Sequence, residues 1–115
     1  MSNKLRAAHL LIKYEGSRNP TSRRTGSSTL GITREKAIEE LKEWASRIKN
    51  GEVTFEYAAR QRSDCGSFGS EGDLGFFGPG EMMQPFEDAV RALKVGEVSD
   101  IVETDSGFHL IKRLA

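Results

Sequence analysis

The sequence predicts an α+β domain, with a mixed or antiparallel sheet covered by helices. Three observations lead there. An apolar run with strand alternation lies near the N-terminus, a long segment after residue 33 carries apolar residues at helical spacing, and two alternating runs near the C-terminus flank Asp105-Ser106-Gly107. The 115 residues read as a single domain, 1–115, long enough to bury a core without staples. No internal repeat is present.

Taken in order, residues 5–14 form the first expected strand. Alternation places Ala7, His9, Leu11 and Lys13 on one face and Ala8, Leu10, Ile12 and Tyr14 on the other. Both faces are mostly apolar, as in a central strand covered on two sides, so His9 is expected to be buried or to line a cleft. Residues 15–32 are irregular and form a long loop for a small domain; such loops are functional or disordered. The loop carries Arg18, Arg23 and Arg24, with Lys13 just before it and only Glu15 opposing them. Arginine forks match phosphate oxygens, so one reading is a phosphate-binding loop. The other is a solvated basic loop.

Residues 33–50 predict a helix, with Thr33 as N-cap, Glu35 in the first turn and Gly51 as the stop. Ala37, Ile38, Leu41, Trp44, Ala45 and Ile48 form its apolar stripe. A shorter helix is expected over 54–62, capped by Thr54, followed by a flexible link through residues 68–72. A third is expected over 84–93, with Pro85 in its first turn and Phe86, Ala89, Val90 and Leu93 inward. Residues 97–104 and 108–114 then make a hairpin.

Between the second and third helices, Gly72 to Phe86 carries Leu74, Phe76, Phe77, Met82, Met83 and Phe86, while Gly72, Gly75, Gly78, Pro79 and Gly80 break any regular period. A concave apolar surface lined from a short strand, a loop and a helix start has this composition. So does a tightly turned core segment.

Composition narrows the function classes. At 37% hydrophobic and 30% charged the chain is of globular, soluble type, with no apolar run of membrane-spanning length and no apolar leader at Met1–Arg6. One cysteine excludes an internal disulfide and, with no export signal, points to a reducing compartment, cytoplasmic and nuclear. Net charge is zero, yet residues 1–50 carry +6 and residues 51–115 carry −6. Nucleic acid is disfavoured, because no aromatic residue interleaves the arginines. The polar candidates for chemistry are His9, His109, Cys65, Asp64, Ser106 and Thr104. Their spacing lacks the ligand pairing of zinc motifs, so no metal or other cofactor is expected. A Cys-His nucleophile stays open if either histidine meets Cys65 in space. Together the pieces suggest a pocket for a compact apolar ring, with an anion held beside it.

Five motifs in order carry a family resemblance: Ala8-His9-Leu10-Leu11-Ile12-Lys13, Ser63-Asp64-Cys65, Gly72-Asp73-Leu74-Gly75, Pro85-Phe86-Glu87-Asp88-Ala89 and Thr104-Asp105-Ser106-Gly107-Phe108-His109. The chain resembles the parvulin-type peptidyl-prolyl cis/trans isomerases over almost its whole length, and most of all their phosphorylation-dependent branch. The resemblance implies a four-stranded antiparallel sheet surrounded by four helices, one of them short and near residues 79–83. It implies rotation about prolyl peptide bonds in phosphorylated Ser/Thr-Pro proteins or peptides, by a monomer that uses neither nucleic acid nor membrane. It places the proline ring against Leu74, Met82 and Phe86, and His9, Cys65, Thr104, Ser106 and His109 around the rotating amide. It offers Lys13, Arg18, Arg23 and Arg24 for phosphate. Two positions depart from the family pattern: Arg18 is followed by Asn19 where an Arg-Arg pair is common, and Met83 stands where glutamine is usual. Residues 1–6 leave no room for the WW module of many relatives. A non-catalytic phospho-Ser/Thr-Pro binding module is the alternative within the same resemblance.

Overall fold

A computed structural model describes residues 4–115. The reading of Met1–Arg6 as free of a leader and of a WW module falls partly on residues 1–3, outside the described residues. The elements run β1 (Leu5–Ile12), α1 (Arg34–Lys49), α2 (Phe55–Arg62), a 3-10 turn (Gly66–Ser70), β2 (Asp73–Phe77), α3 (Gln84–Ala92), β3 (Val102–Thr104) and β4 (Gly107–Arg113). The sheet is antiparallel in the order β2-β1-β4-β3.

Alternation along β1 and β4 sorts the core into two layers. Ala8, Leu10, Ile12, Phe108 and Leu110 face α1 and α2, where they meet Ala37, Leu41, Phe55, Ala58 and Ala59. Leu5, Ala7 and Ile111 face α3, where they meet Phe86 and Val90. Burying each large side chain contributes about 1.5–3 kcal/mol. The same alternation puts His9 and His109 on the α3 face, both nearly sealed from solvent. Helices α1 and α2 start as their sequences predict: Thr33 Oγ1 accepts Lys36 N–H at 3.2 Å and Thr54 Oγ1 accepts Tyr57 N–H at 3.0 Å. Among the described residues, no helix is long and apolar enough to cross a membrane.

Four expectations change. First, β1 ends at Ile12 rather than at residue 14, because Asp64 Oδ2 takes the Lys13 N–H at 2.9 Å and turns the chain out of the ladder. Second, the strand expected over 97–104 shrinks to Val102–Thr104. Ser99 Oγ takes the Ile111 N–H at 3.0 Å, so a side chain stands where a ladder carbonyl would. Third, residues 78–83 form a turn rather than a fourth helix. Glu81 Oε2 accepts Gly78 N–H and Glu87 Oε1 accepts Gly80 N–H, each at 2.9 Å, so carboxylates satisfy those N–H groups where helix carbonyls would not reach. Fourth, the link expected to be flexible begins inside a 3-10 turn over Gly66–Ser70.

Candidate active site

The upper half of β1 has lost its β2 partner, and this opens the site. Beyond the register shift between Arg6 and Ala8, the free edge of β1 is bonded by three other groups. His9 N–H donates to Gly72 O at 3.0 Å, Leu11 N–H to Ser63 Oγ at 3.1 Å, and Asp64 N–H to Leu11 O at 2.7 Å. Gly72 lies so close to β1 that a Cβ there would overlap the His9 carbonyl, and its φ of +82° is one that glycine adopts freely. The chain from Ser63 to Leu74 is thereby wrapped over the His9 side of the sheet. A cavity of about 230 Å3 forms between this wrap, the α3 start and the 15–32 loop.

One wall is apolar. Leu74 from β2, Met82 from the turn and Phe86 from the first turn of α3 converge there, with Leu11 and Met83 beside them. Phe86 fixes the wall, since its ring stands edge-on to His9, His109 and Phe77 at centroid distances of 5.6, 5.5 and 6.2 Å. Met82 is held in place by the two carboxylates that close its turn. Glu87, buried below, stays under the usual carboxylate range because Gly80 N–H and Arg91 hold its charge.

The floor is polar. His9 Nδ1 and His109 Nδ1 face each other at 2.9 Å with the rings nearly stacked. His109 Nε2 meets Thr104 Oγ1 at 2.6 Å, and Thr104 Oγ1 accepts Ser106 N–H at 3.1 Å. Burial and the charge of His9 push His109 well below the ordinary imidazole range, so it is neutral at physiological pH. On the far side of His9 sits Cys65. His9 Nε2 and Ser67 Oγ are buried and make no fully formed hydrogen bond among the described residues, and both bear on the Cys65 sulfur. Burial pushes that thiol up, but donation and charge from His9, helped by the Ser67 hydroxyl and N–H, outweigh it and bring the thiol down to about 6.

Of the six polar candidates, His9, Cys65, Ser106 and His109 line the cavity and Asp64 does not. Thr104 does not: it is buried behind His109 and orients the imidazole. Among the described residues no group of three His, Cys, Asp or Glu could hold a metal ion.

The rim is cationic. Lys13, Arg18 and Arg23 line it, while Arg24 is excluded from the lining. Arg18 N–H bonds to Asp105 O at 2.8 Å and Arg23 N–H to Asp64 O at 2.9 Å, so each arginine is anchored through its backbone to the body of the domain. The Arg24 Nε is buried and unpartnered among the described residues. Lys13 is buried to 5% exposure with Nζ on Thr21 O at 2.8 Å; burial and then Arg23 pull its ammonium below the ordinary range. Asn19, which the sequence reading noted only as a departure from an Arg-Arg pair and not as a site residue, also lines the cavity. The sequence reading named Asp64 as a candidate for chemistry and Ser63 only inside a motif, and foresaw neither one's part in bonding the edge of β1.

The rotamase family model, described as a PPIC-type PPIASE domain, matches residues 9–115. A peptidyl-prolyl cis-trans isomerase Pin1 of Arabidopsis thaliana is 50% identical over 115 residues, spanning 98% of this chain and 97% of the relative. The peptidyl-prolyl cis-trans isomerase ESS1 of Saccharomyces cerevisiae is 50% identical over 113 residues, 96% of this chain but 65% of the relative. Among solved structures, the solution structure of TbPIN1 superposes with a TM-score of 0.90 at 70% identity over the whole of both chains. The isomerase ESS1 from Candida albicans gives a TM-score of 0.94 at 44% identity, covering 98% of this chain and 63% of that one.

Proposed function

The chain belongs to the PPIC-type, parvulin peptidyl-prolyl cis-trans isomerases, and from that premise we propose that its cavity isomerises X-Pro bonds preceded by phosphorylated Ser or Thr. The observation that supports this best is the meeting of an apolar wall (Leu74, Met82, Phe86) with a cationic rim (Lys13, Arg18, Arg23) in one cavity. A proline ring suits the first and a phosphate the second, and in pSer-Pro the two are adjacent.

The chemistry asks little of the side chains. Rotation about X-Pro crosses about 18–20 kcal/mol and takes tens of seconds or longer unaided. No bond need break; the site has only to bind the twisted amide better than the planar one. Twisting removes resonance, makes the nitrogen more basic and leaves the carbonyl ketone-like. An apolar wall grips the ring and disfavours the charge-separated planar form. With His9 Nδ1–H donating to neutral His109 through the Nδ1 pair, His109 Nε2–H donates to Thr104 Oγ1, and the Ser106 hydroxyl on the cavity wall is left free to donate. Cys65 contributes a negative charge near the carbonyl that turns. Each tenfold in rate corresponds to about 1.4 kcal/mol of preference for the twisted form.

A protease-coupled isomerisation assay on a pSer-Pro peptide and its unphosphorylated twin tests the reading. The phosphopeptide is expected to turn over at least tenfold faster at low salt, with the gap narrowing as salt rises. Equal turnover would remove the phosphate from the account while leaving the isomerase in place.

A further inference from the structure

Asp64 lies where the cationic rim crosses onto the helical layer, at 2% exposure. Every polar group it has is engaged. Its N–H donates to Leu11 O at 2.7 Å and its carbonyl accepts Arg23 N–H at 2.9 Å. Oδ2 accepts Lys13 N–H at 2.9 Å, and Oδ1 accepts from Arg62 Nη1 at 3.0 Å. Two of these partners are rim cations, held by their backbones so that their side chains stay with the cavity. Arg62 is largely buried and shares its guanidinium with Glu40 on α1, whose Oε2 also accepts Trp44 Nε1–H at 3.3 Å.

We infer that Asp64 is a positioning residue for anion recognition: it sets the spacing between Lys13 and Arg23, and through that spacing the preference for a phosphorylated over an unphosphorylated substrate. This rests on the reading of the rim given above. Asp64 does not line the cavity, so its action on substrate is through its two neighbours. A carboxylate is needed because two donors arrive from opposite sides, a backbone N–H and a guanidinium, and only a carboxylate offers acceptors to both. In Asp64→Asn the charged guanidinium, the stronger donor, keeps the one remaining oxygen. The amide NH2 then faces Lys13 N–H, and two buried donors drive each other apart. Lys13 moves relative to Arg23, whose tie to the Asp64 carbonyl is unchanged. Glu40 acts one step further out. In Glu40→Gln the neutral amide holds Arg62 less well, so Arg62 draws on Asp64 and loosens its grip on Lys13.

The test measures kcat and KM on the pSer-Pro peptide and its unphosphorylated twin for wild type, Asp64→Asn and Glu40→Gln. Asp64→Asn is expected to lose about tenfold in the phospho/non-phospho ratio of kcat/KM, through KM, with the unphosphorylated peptide unchanged. Glu40→Gln, at a half-exposed position outside the cavity, is expected to lose about threefold in the same way. A parallel loss on both peptides would mark Asp64 as a general fold element and overturn the inference. So would an unchanged ratio in both variants against a selective wild type. A wild type with no selectivity would overturn the phosphate reading itself and the inference with it. If Asp64→Asn fails to fold by circular dichroism, the Glu40→Gln ratio decides alone.

Discussion

His9 and His109 meet Nδ1 to Nδ1 across 2.9 Å, and only one of those nitrogens can carry a proton while the contact lasts. Burial and the charge of His9 hold His109 well below its ordinary 6.5. In the unfolded chain His109 takes up a proton as pH falls through 6.5, whereas in the folded chain it does not. Unfolding thus gains a proton, and stability is complete above that value and declines below it. Urea midpoints are expected to fall between about pH 7 and about pH 5, with a slope approaching about 1.4 kcal/mol per pH unit. His109→Gln should flatten that part of the profile, and an equally steep variant would count against it.

Cys65 sets a second window. Its thiol is brought from 9 to about 6, so between those values the folded chain holds a thiolate and the unfolded chain a thiol. Stability from this group is present above the higher value and is lost as pH falls through the lower. Thiolate absorbance near 240 nm should titrate with a midpoint of about 6, and Cys65→Ser should remove both that signal and the slope above it. Isomerase activity of Cys65→Ser is expected to stay within about tenfold of wild type, because no bond to sulfur forms in the reaction. A loss of several thousandfold would favour a covalent route.

The apolar wall should divide into residues that hold the fold and residues that hold the ring. Phe86 is 3% exposed and packs on both histidines, so Phe86→Ala is expected to cost about 3–5 kcal/mol of stability as well as activity. Leu74 and Met82 are only half-buried, so Leu74→Ala and Met82→Ala should lower kcat/KM about tenfold with under about 1.5 kcal/mol of destabilisation. Denaturant melts alongside turnover separate the two behaviours. Full activity in the Met82 and Leu74 variants would place the ring elsewhere.

The three loop arginines should not behave alike. Arg18→Ala and Arg23→Ala each remove a cation from the rim and are expected to cost the phosphopeptide about tenfold in kcat/KM, leaving the unphosphorylated twin unaffected. Arg24→Ala should change the ratio less than about twofold, because Arg24 does not line the cavity. An Arg24 effect as large as the others would require the loop to rearrange when it binds an anion.

Gly72→Ala probes the wrap over β1. A methyl group there overlaps the His9 carbonyl at a φ of +82°, so the strand and the glycine cannot both stay in place. The expected result is a loss of more than about 2 kcal/mol of stability and a perturbed His9 ring signal in NMR spectra. An unperturbed His9 would mean the wrap can yield without moving the site.

Much of this was legible in the chain. Alternation in β1 grouped His9 with Ala7 and Leu11, alternation in β4 grouped His109 with Ile111, and helical spacing with Thr33 and Thr54 caps gave α1 and α2 to within a residue or two. These are local regularities, and side chains within one element declare them. The glycine-broken run from Gly72 to Phe86 left two readings open, a concave apolar surface and a tightly turned core segment, and the fold lines the cavity with its Leu74, Met82, Met83 and Phe86. Local reading failed where a group from elsewhere in the chain intervened. Ser99 and Asp64 cut short two strands by offering side-chain oxygens to backbone donors, and Glu81 and Glu87 did the same for the helix expected near residue 80.

The sequence by itself therefore determined the fold class, the faces of the strands and helices, and the residue types that a prolyl-isomerase cavity needs. Only the tertiary structure decided which arginines share the rim, that Thr104 stands behind His109 and not beside substrate, and that Asp64 joins Lys13 to Arg23. The physical reason is that periodicity is a property of neighbours along the chain. Hydrogen bonds such as the one between Lys13 and Asp64, 51 residues apart, exist only once distant segments have been packed together.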